Sequence, residues 1–213
     1  MIEIIPGILE NDWETTERQI RIVAPYVSWV QIGIADGTLV PMSSHVDFGP
    51  LPPLITSLRK PIFFEAHLMV VDPVKYLRPL IDNGFTRFVV HVESQDPREF
   101  LAQASYESVD VCMAIDTASE VAELESFVDE IDGVVVMTAE AGVEGREFVP
   151  ETVEKITTIH QNYSHLPIEV DGGINDQSIK IVKDAGATRI VSTSFIYKDL
   201  QGIEQAIQQL RSV

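Results

Sequence analysis

Short apolar runs rich in Val, Ile and Phe alternate along this chain with longer segments whose apolar positions recur every three or four residues. These are the patterns of buried strands and of amphipathic helices respectively. The strand-like runs are Glu3–Leu9, Trp29–Ile34, Ile62–Met69, Arg87–Val92, Asp110–Ile115, Gly133–Thr138, Ile168–Asp171 and Arg189–Ser192. Helical patterns lie between them at Thr15–Ala24, Pro73–Asn83, Ala118–Val128, Pro150–Gln161, Asp176–Ala185 and Gly202–Leu210, with a weaker one at Pro97–Ala104. A strand recurring roughly every 20 to 30 residues is the signature of βα units in series. Eight strands in 213 residues predict an α/β protein of one domain, residues 1–213, folded as a (β/α)8 TIM barrel near the short end of that architecture. An open doubly wound sheet would call for a glycine-rich turn after the first strand. That turn reads Pro6-Gly7-Ile8-Leu9-Glu10-Asn11, without a glycine triplet, so the barrel is the better reading.

Either architecture puts chemistry at the C-terminal ends of the strands. The seventh strand runs into Asp171-Gly172-Gly173-Ile174-Asn175, and two glycines at a strand exit let backbone approach an anion closely. The eighth ends in Ser192-Thr193-Ser194, and these two loops commonly build a phosphate site in barrels. In the third strand the two-residue period puts Glu65 and His67 on one face, and His91 and Glu93 repeat that spacing in the fourth. A carboxylate and an imidazole pointing into a barrel need partners. Asp171 suits a base, a metal ligand or a helix stabiliser, three roles that the residues alone leave open. After the sixth strand, Gly142 and Gly145 suggest a flap from which Arg146 could reach a phosphate.

Charge narrows the ligand classes. With 33 acidic and 15 basic residues the formal charge is −18, and without a basic stripe neither nucleic acid nor an anionic membrane is a fitting partner. A phosphate bound here must rest on backbone N–H groups rather than on a cationic patch. The start of the chain, interrupted by Glu3, Glu10 and Asp12, reads as neither a signal peptide nor a membrane span. The single cysteine, Cys112, lies in an apolar strand and reads as a buried structural thiol. A cytoplasmic location is the expectation.

Several pieces in order carry a resemblance. They are Pro6-Gly7-Ile8-Leu9, Trp29 through Asp36-Gly37 to Val40-Pro41, His67-Leu68-Met69-Val70 with Pro73 and Tyr76, and His91-Val92-Glu93. Val136-Met137-Thr138 through Gly142, Gly145 and Phe148, Glu169-Val170-Asp171-Gly172-Gly173-Ile174, and Val191 to Ile196 complete the set. Together they resemble the ribulose-phosphate 3-epimerase family across essentially the whole chain. The resemblance implies a small phosphorylated sugar as substrate, with inversion at C3 by two aspartates on opposite faces. It implies a divalent metal (zinc, iron or manganese) held by two histidines and those aspartates, and it is compatible with a homo-oligomer. On this resemblance Asp171 is the surviving catalytic residue, and His67 and Asp171 are the surviving metal ligands. His67, Gly142, Gly145, Gly172, Gly173 and Ser194 belong to the substrate and phosphate site.

The chain departs from the family pattern where the chemistry would be. Gln31 stands at the position of a metal-binding histidine and Gly33 at that of the first aspartate. Further departures are Gly7, Ala35, Met42, Thr193, Val143-Glu144 in the flap, and an apparent insertion carrying His45 and Asp47. Two ligands hold a divalent ion weakly, since zinc sites usually draw on three or four, so the metal is expected to be weakly held or absent. Three readings remain open at this point: a diverged sugar-phosphate enzyme using Asp171 with Glu65, His45 or Asp47 as substitute acid; a non-catalytic barrel binding a phospho-ligand or a partner protein; and a ribulose-phosphate 3-epimerase with a rearranged site.

Overall fold

The computed structural model describes residues 2–142, 145–198 and 202–213. Eight strands run in chain order: β1 Glu3–Ile8, β2 Trp29–Ala35, β3 Phe63–Met69, β4 Phe85–His91, β5 Asp110–Ile115, β6 Gly133–Met137, β7 Ile168–Asp171 and β8 Arg189–Ser192. Each pairs in parallel with the next, and β8 returns to β1, closing the barrel. The helices are α1 Trp13–Val23, α2 Leu51–Ser57, α3 Val74–Asp82, α4 Pro97–Ala104, α5 Thr152–Asn162, α6 Ser178–Ala185, α7 Ser194–Tyr197 and α8 Ile203–Arg211. Closure leaves no edge strand, which satisfies every ladder internally.

Strand alternation sorts the side chains into two populations. Val30, Ile32 and Ile34 on β2, Phe64, Ala66 and Leu68 on β3, and Phe88 and Val90 on β4 face outward into one large core beneath the helices. The intervening positions point at the barrel axis. There a smaller apolar cluster, including Ala35, Met69, Val89, Cys112, Ala114, Val135 and Met137, plugs part of the interior. The inward set also holds a polar layer: Gln31, Glu65, His67, Arg87, His91 and Glu169 are all buried.

Local signals set the helix ends. The Asp12 carboxylate accepts from the Thr15 backbone N–H at 2.8 Å and caps α1, satisfying one of the orphan donors of its first turn. Gly186, with φ +119°, closes α6 in the left-handed conformation that glycine adopts without steric cost.

Two segments differ from the sequence expectation. The helix expected over Ala118–Val128 is only a 3-10 turn at Val121–Leu124. The Lys155 ammonium draws the carbonyls of Asp116, Thr117 and Ser119 to itself, so those groups cannot start a helix. Only Leu124 and Phe127 of the stretch are buried, too narrow an apolar face to hold one. Conversely, the proline-rich segment after β2 forms α2, with Pro52 and Pro53 in a first turn that needs no N–H donors.

Cys112 is fully buried, as the sequence implied. Burial, with Glu65 and Glu169 nearby, pushes its thiol well above the usual range. The thiolate is the nucleophile, so N-ethylmaleimide at pH 8 should leave the native protein unlabelled and modify the guanidinium-unfolded chain fully, as read by mass spectrometry. Rapid labelling of the folded protein would contradict this placement.

Candidate active site

At the C-terminal end of the barrel the strand exits enclose a narrow cavity of about 70 Å³. It opens into a wider groove of about 810 Å³ that shares Gly145, Arg146, Gly173 and Ser194 with it. Gln31, Gly33, His67, Gly142, Gly145, Asp171, Gly172, Gly173 and Ser194 all line the cavity. These nine positions therefore converge on one place. The candidate substitute acids do not. His45 bonds the Asp47 carbonyl at 2.6 Å and packs its ring on Trp13 and Phe48, while the Asp47 carboxylate accepts from the Gly49 N–H. Neither residue lines the cavity. Val143 and Glu144, the altered part of the flap, lie outside the described residues.

Glu65 sits one layer below, in the barrel floor. Register places Gln31, Glu65 and Arg87 side by side on β2, β3 and β4. The Gln31 amide donates to Glu65 at 2.9 Å and to Glu169 at 3.2 Å, and Arg87 pairs with Glu65 at 3.2 Å. Burial and the neighbouring Glu65 push the Glu169 carboxyl well above the usual carboxylate range, favouring its neutral form. For Arg87 desolvation opposes the charge, but Glu65, Cys112 and Glu169 together outweigh it and raise its pKa. The sequence reading took Glu169 only as part of a motif. Its inward position two residues before Asp171 was the available signal.

A second chain of contacts rises through the site. Asp171 Oδ2 meets His67 Nδ1 at 2.9 Å, His67 Nε2 meets His91 Nε2 at 2.8 Å, and His91 Nδ1 meets Glu93 at 3.2 Å. The two imidazole planes lie within 9° of each other. Burial lowers the pKa of His91 and keeps it neutral, although Glu93 pulls the other way. Burial likewise opposes ionisation of Glu93, but hydrogen bonds from His91, Ser119 and the Asp116 N–H prevail and hold it at about 2. An ionised Glu93 accepts a hydrogen bond from His91 Nδ1–H, so His91 Nε2 must accept and His67 Nε2 must donate. One further proton then lies between His67 Nδ1 and Asp171, on whichever of the two holds it. The His67–His91 contact escaped the sequence reading because it joins strands 24 residues apart one layer out of register.

On the β2 side the position of the missing aspartate is filled. A Cβ on Gly33 would lie 2.7 Å from Leu9 Cδ1 and 3.0 Å from Met69 Cε. Beyond it, Asp36 accepts from Lys75, Tyr76 and Thr38; these bonds overcome the burial that opposes its charge and hold it at about 2. Ser44 returns to Ala35 and Gly33, so the inserted loop seals the strand exit.

These residues do not fit the implied metal. Both nitrogens of His67 are engaged by protein groups, Gln31 is bonded downward, and Gly33 has no donor. Among the described residues no group of three or more His, Cys, Asp or Glu stands in a metal-binding arrangement.

The fold and the site together invite comparison with known proteins. The profile of the Ribulose-phosphate 3 epimerase family matches residues 3–197. This chain belongs to that family. It is 30% identical to "Ribulose-phosphate 3-epimerase" of Schizosaccharomyces pombe, covering 99% of this chain and 92% of the relative. It is 32% identical to "Ribulose-phosphate 3-epimerase, cytoplasmic isoform" of Oryza sativa, covering 92% and 87%. Among solved structures it superposes on 3-hexulose-6-phosphate synthase from Salmonella typhimurium with a TM-score of 0.75 at 15% identity, covering 99% of this chain and 97% of that one. KGPDC from Streptococcus mutans gives 0.74 at 9% identity, covering 100% and 96%. At those identities the likeness is one of fold.

Acid stability tests the upper chain of contacts. The Glu93 carboxyl has its folded pKa, about 2, below the ordinary 4.5. Its contribution is therefore fully present above pH 4.5 and is lost as pH falls toward 2. Glu93→Gln should lower Tm at pH 6 and flatten the fall of Tm between about pH 5 and pH 2 in scanning calorimetry. An unchanged acid limb would show that Glu93 is not anchored as described.

Proposed function

We propose that the protein binds a small phosphorylated sugar at the strand exits and that Asp171 removes a proton beside its carbonyl. The observation that carries this reading is Asp171 held by His67, which reaches it from the opposite side of the barrel at 2.9 Å, next to the two-glycine exit of β7. Such buttressing fixes a carboxylate in one orientation, a requirement for a general base.

The phosphate half is supported by backbone geometry. Gly172 and Gly173 have φ of +116° and +66°. A Cβ at Gly172 would lie 2.6 Å from the Ala139 N, and one at Gly173 would lie 2.7 Å from the Phe148 Cα. Only glycine allows the loops after β6 and β7 to approach this closely and turn their N–H groups toward a ligand. Among the described lining residues Arg146 is the single Lys or Arg, and it pairs with Glu140 at 3.1 Å. Gly142, Gly145 and Ser194 complete this half. No step is assigned to a metal, because the donors do not form a site for one.

We place the protein in the cytoplasm, and self-association into a homo-oligomer is compatible with the fold. Among the described residues no helix is long and apolar enough to cross a membrane. The emptied β2 positions favour one competing reading, a barrel that binds a phosphosugar without turning it over.

Asp171→Asn separates the two. Under the catalytic reading it should cut turnover of a ketopentose phosphate by about 10²–10⁴-fold while calorimetry still shows binding; no turnover in the unsubstituted protein would favour the binder. Gly173→Ala should abolish phosphosugar binding in either case, and undiminished affinity would remove the phosphate site from this loop.

A further inference from the structure

Resting on that reading, we propose that proton transfer here is confined to one face of the substrate. Asp171 then both removes and returns the proton, and the reaction class is the 1,2-shift that interconverts a ketose phosphate and an aldose phosphate.

Inversion at a carbon beside a carbonyl passes through a planar enediolate and needs a proton donor on each face. Asp171 supplies one face. Three strands round the barrel, Leu9, Gly33 and Met69 form the cavity wall on the β2 side, above Gln31, whose amide is bonded into the floor. The Leu9 and Met69 methyl groups occupy the space that a side chain at position 33 would need. Among the described residues the other carboxylate of the lining, Glu140, is 62% exposed and paired with Arg146. The floor carboxyls are turned downward: Glu65 and Glu169 are bonded to Gln31 beneath the cavity. Thr193 and Ser194 stand at the β8 exit, in the phosphate half. A planar intermediate therefore has a carboxyl on one side and hydrocarbon on the other.

A single carboxyl is sufficient for a suprafacial shift. The C1–H bond breaks, its electron pair forms the enediolate, and the proton resides on Asp171. Asp171 then delivers it to C2 on the same face, the C1–C2 double bond supplies the electron pair for the new C2–H bond, and the hydroxyl proton passes from the C1 oxygen to the C2 oxygen. Atoms and electrons balance without a co-reactant. His67 holds Oδ2 throughout and leaves Oδ1 for the moving proton.

D-ribulose 5-phosphate in deuterium oxide, followed by proton NMR, provides the test. The expected result is an aldopentose 5-phosphate whose C2 carries the proton taken from C1, with deuterium only in the fraction of turnovers in which the Asp171 carboxyl exchanges with solvent first. No D-xylulose 5-phosphate is expected, and no product from Asp171→Asn. Appearance of D-xylulose 5-phosphate from the unsubstituted protein would overturn the one-face inference and leave the phosphosugar reading standing. Neither product nor deuterium exchange, with this probe or with D-fructose 6-phosphate, would overturn both. The double variant Leu9→Ala/Gly33→Asp, checked for native circular dichroism, should gain D-xylulose 5-phosphate formation. A folded double variant that still forms only the aldose would overturn the role given to the apolar wall.

Discussion

The ion pair between Arg87 and Glu65, sealed inside the barrel, is the interaction on which the rest of the site depends. A charge in a dry interior is tolerated only when its partners satisfy it. Here the group is drawn from four different strands: Gln31 donates to Glu65 and Glu169, and Arg87 faces Glu65. Removing one member of such a buried pair typically costs about 3–5 kcal/mol, because the other charge is left uncompensated. The group also forms the floor of the cavity, so the layer that holds the strands in register is the layer on which His67 and Asp171 stand.

Above that floor, positioning is passed from strand to strand. Lys155 gathers the carbonyls after β5, Ser119 of that loop bonds Glu93, Glu93 orients His91, His91 fixes the tautomer of His67, and His67 holds Asp171. No member is long enough to do this alone. The series explains why a helix is absent between β5 and β6: the carbonyls that would have begun it are committed to Lys155. The same commitment places Ser119 within reach of Glu93.

The sequence made the barrel legible because strand alternation is a local signal. Phe64, Ala66 and Leu68 against Glu65, His67 and Met69 show it within six consecutive residues. The convergence of His67, Asp171 and the glycine loops followed from the rule that barrels place chemistry at strand exits. What stayed hidden depends on closure. That Glu65 belongs to the floor rather than to the cavity, that Glu169 is its neighbour, and that His67 lies between Asp171 and His91 are relations among strands far apart in the chain. His45 and Asp47 attracted interest by residue type alone, and Trp13, Phe48 and the Gly49 N–H occupy them outside the site.

The two losses on β2 are best understood as one packing solution. A neutral imidazole at position 31 would offer a single N–H, whereas the Gln31 amide directs both of its N–H groups to two carboxyl groups. With Gln31 committed to the floor, a carboxylate at position 33 would face Leu9 and Met69 without a partner, at the cost of a buried charge. Glycine removes that charge and lets the two hydrocarbon side chains meet over the backbone. The floor is thereby tied together, with Arg87 Nε and Glu169 Oε2 left as its buried atoms without a hydrogen-bond partner, and the wall above it is hydrocarbon. Asp171, which keeps His67 as its partner on the far side, remains the carboxylate with a hydrogen-bonded place in the cavity interior. Its isolation there follows from the two β2 side chains, one bonded into the floor and the other replaced by hydrocarbon contact.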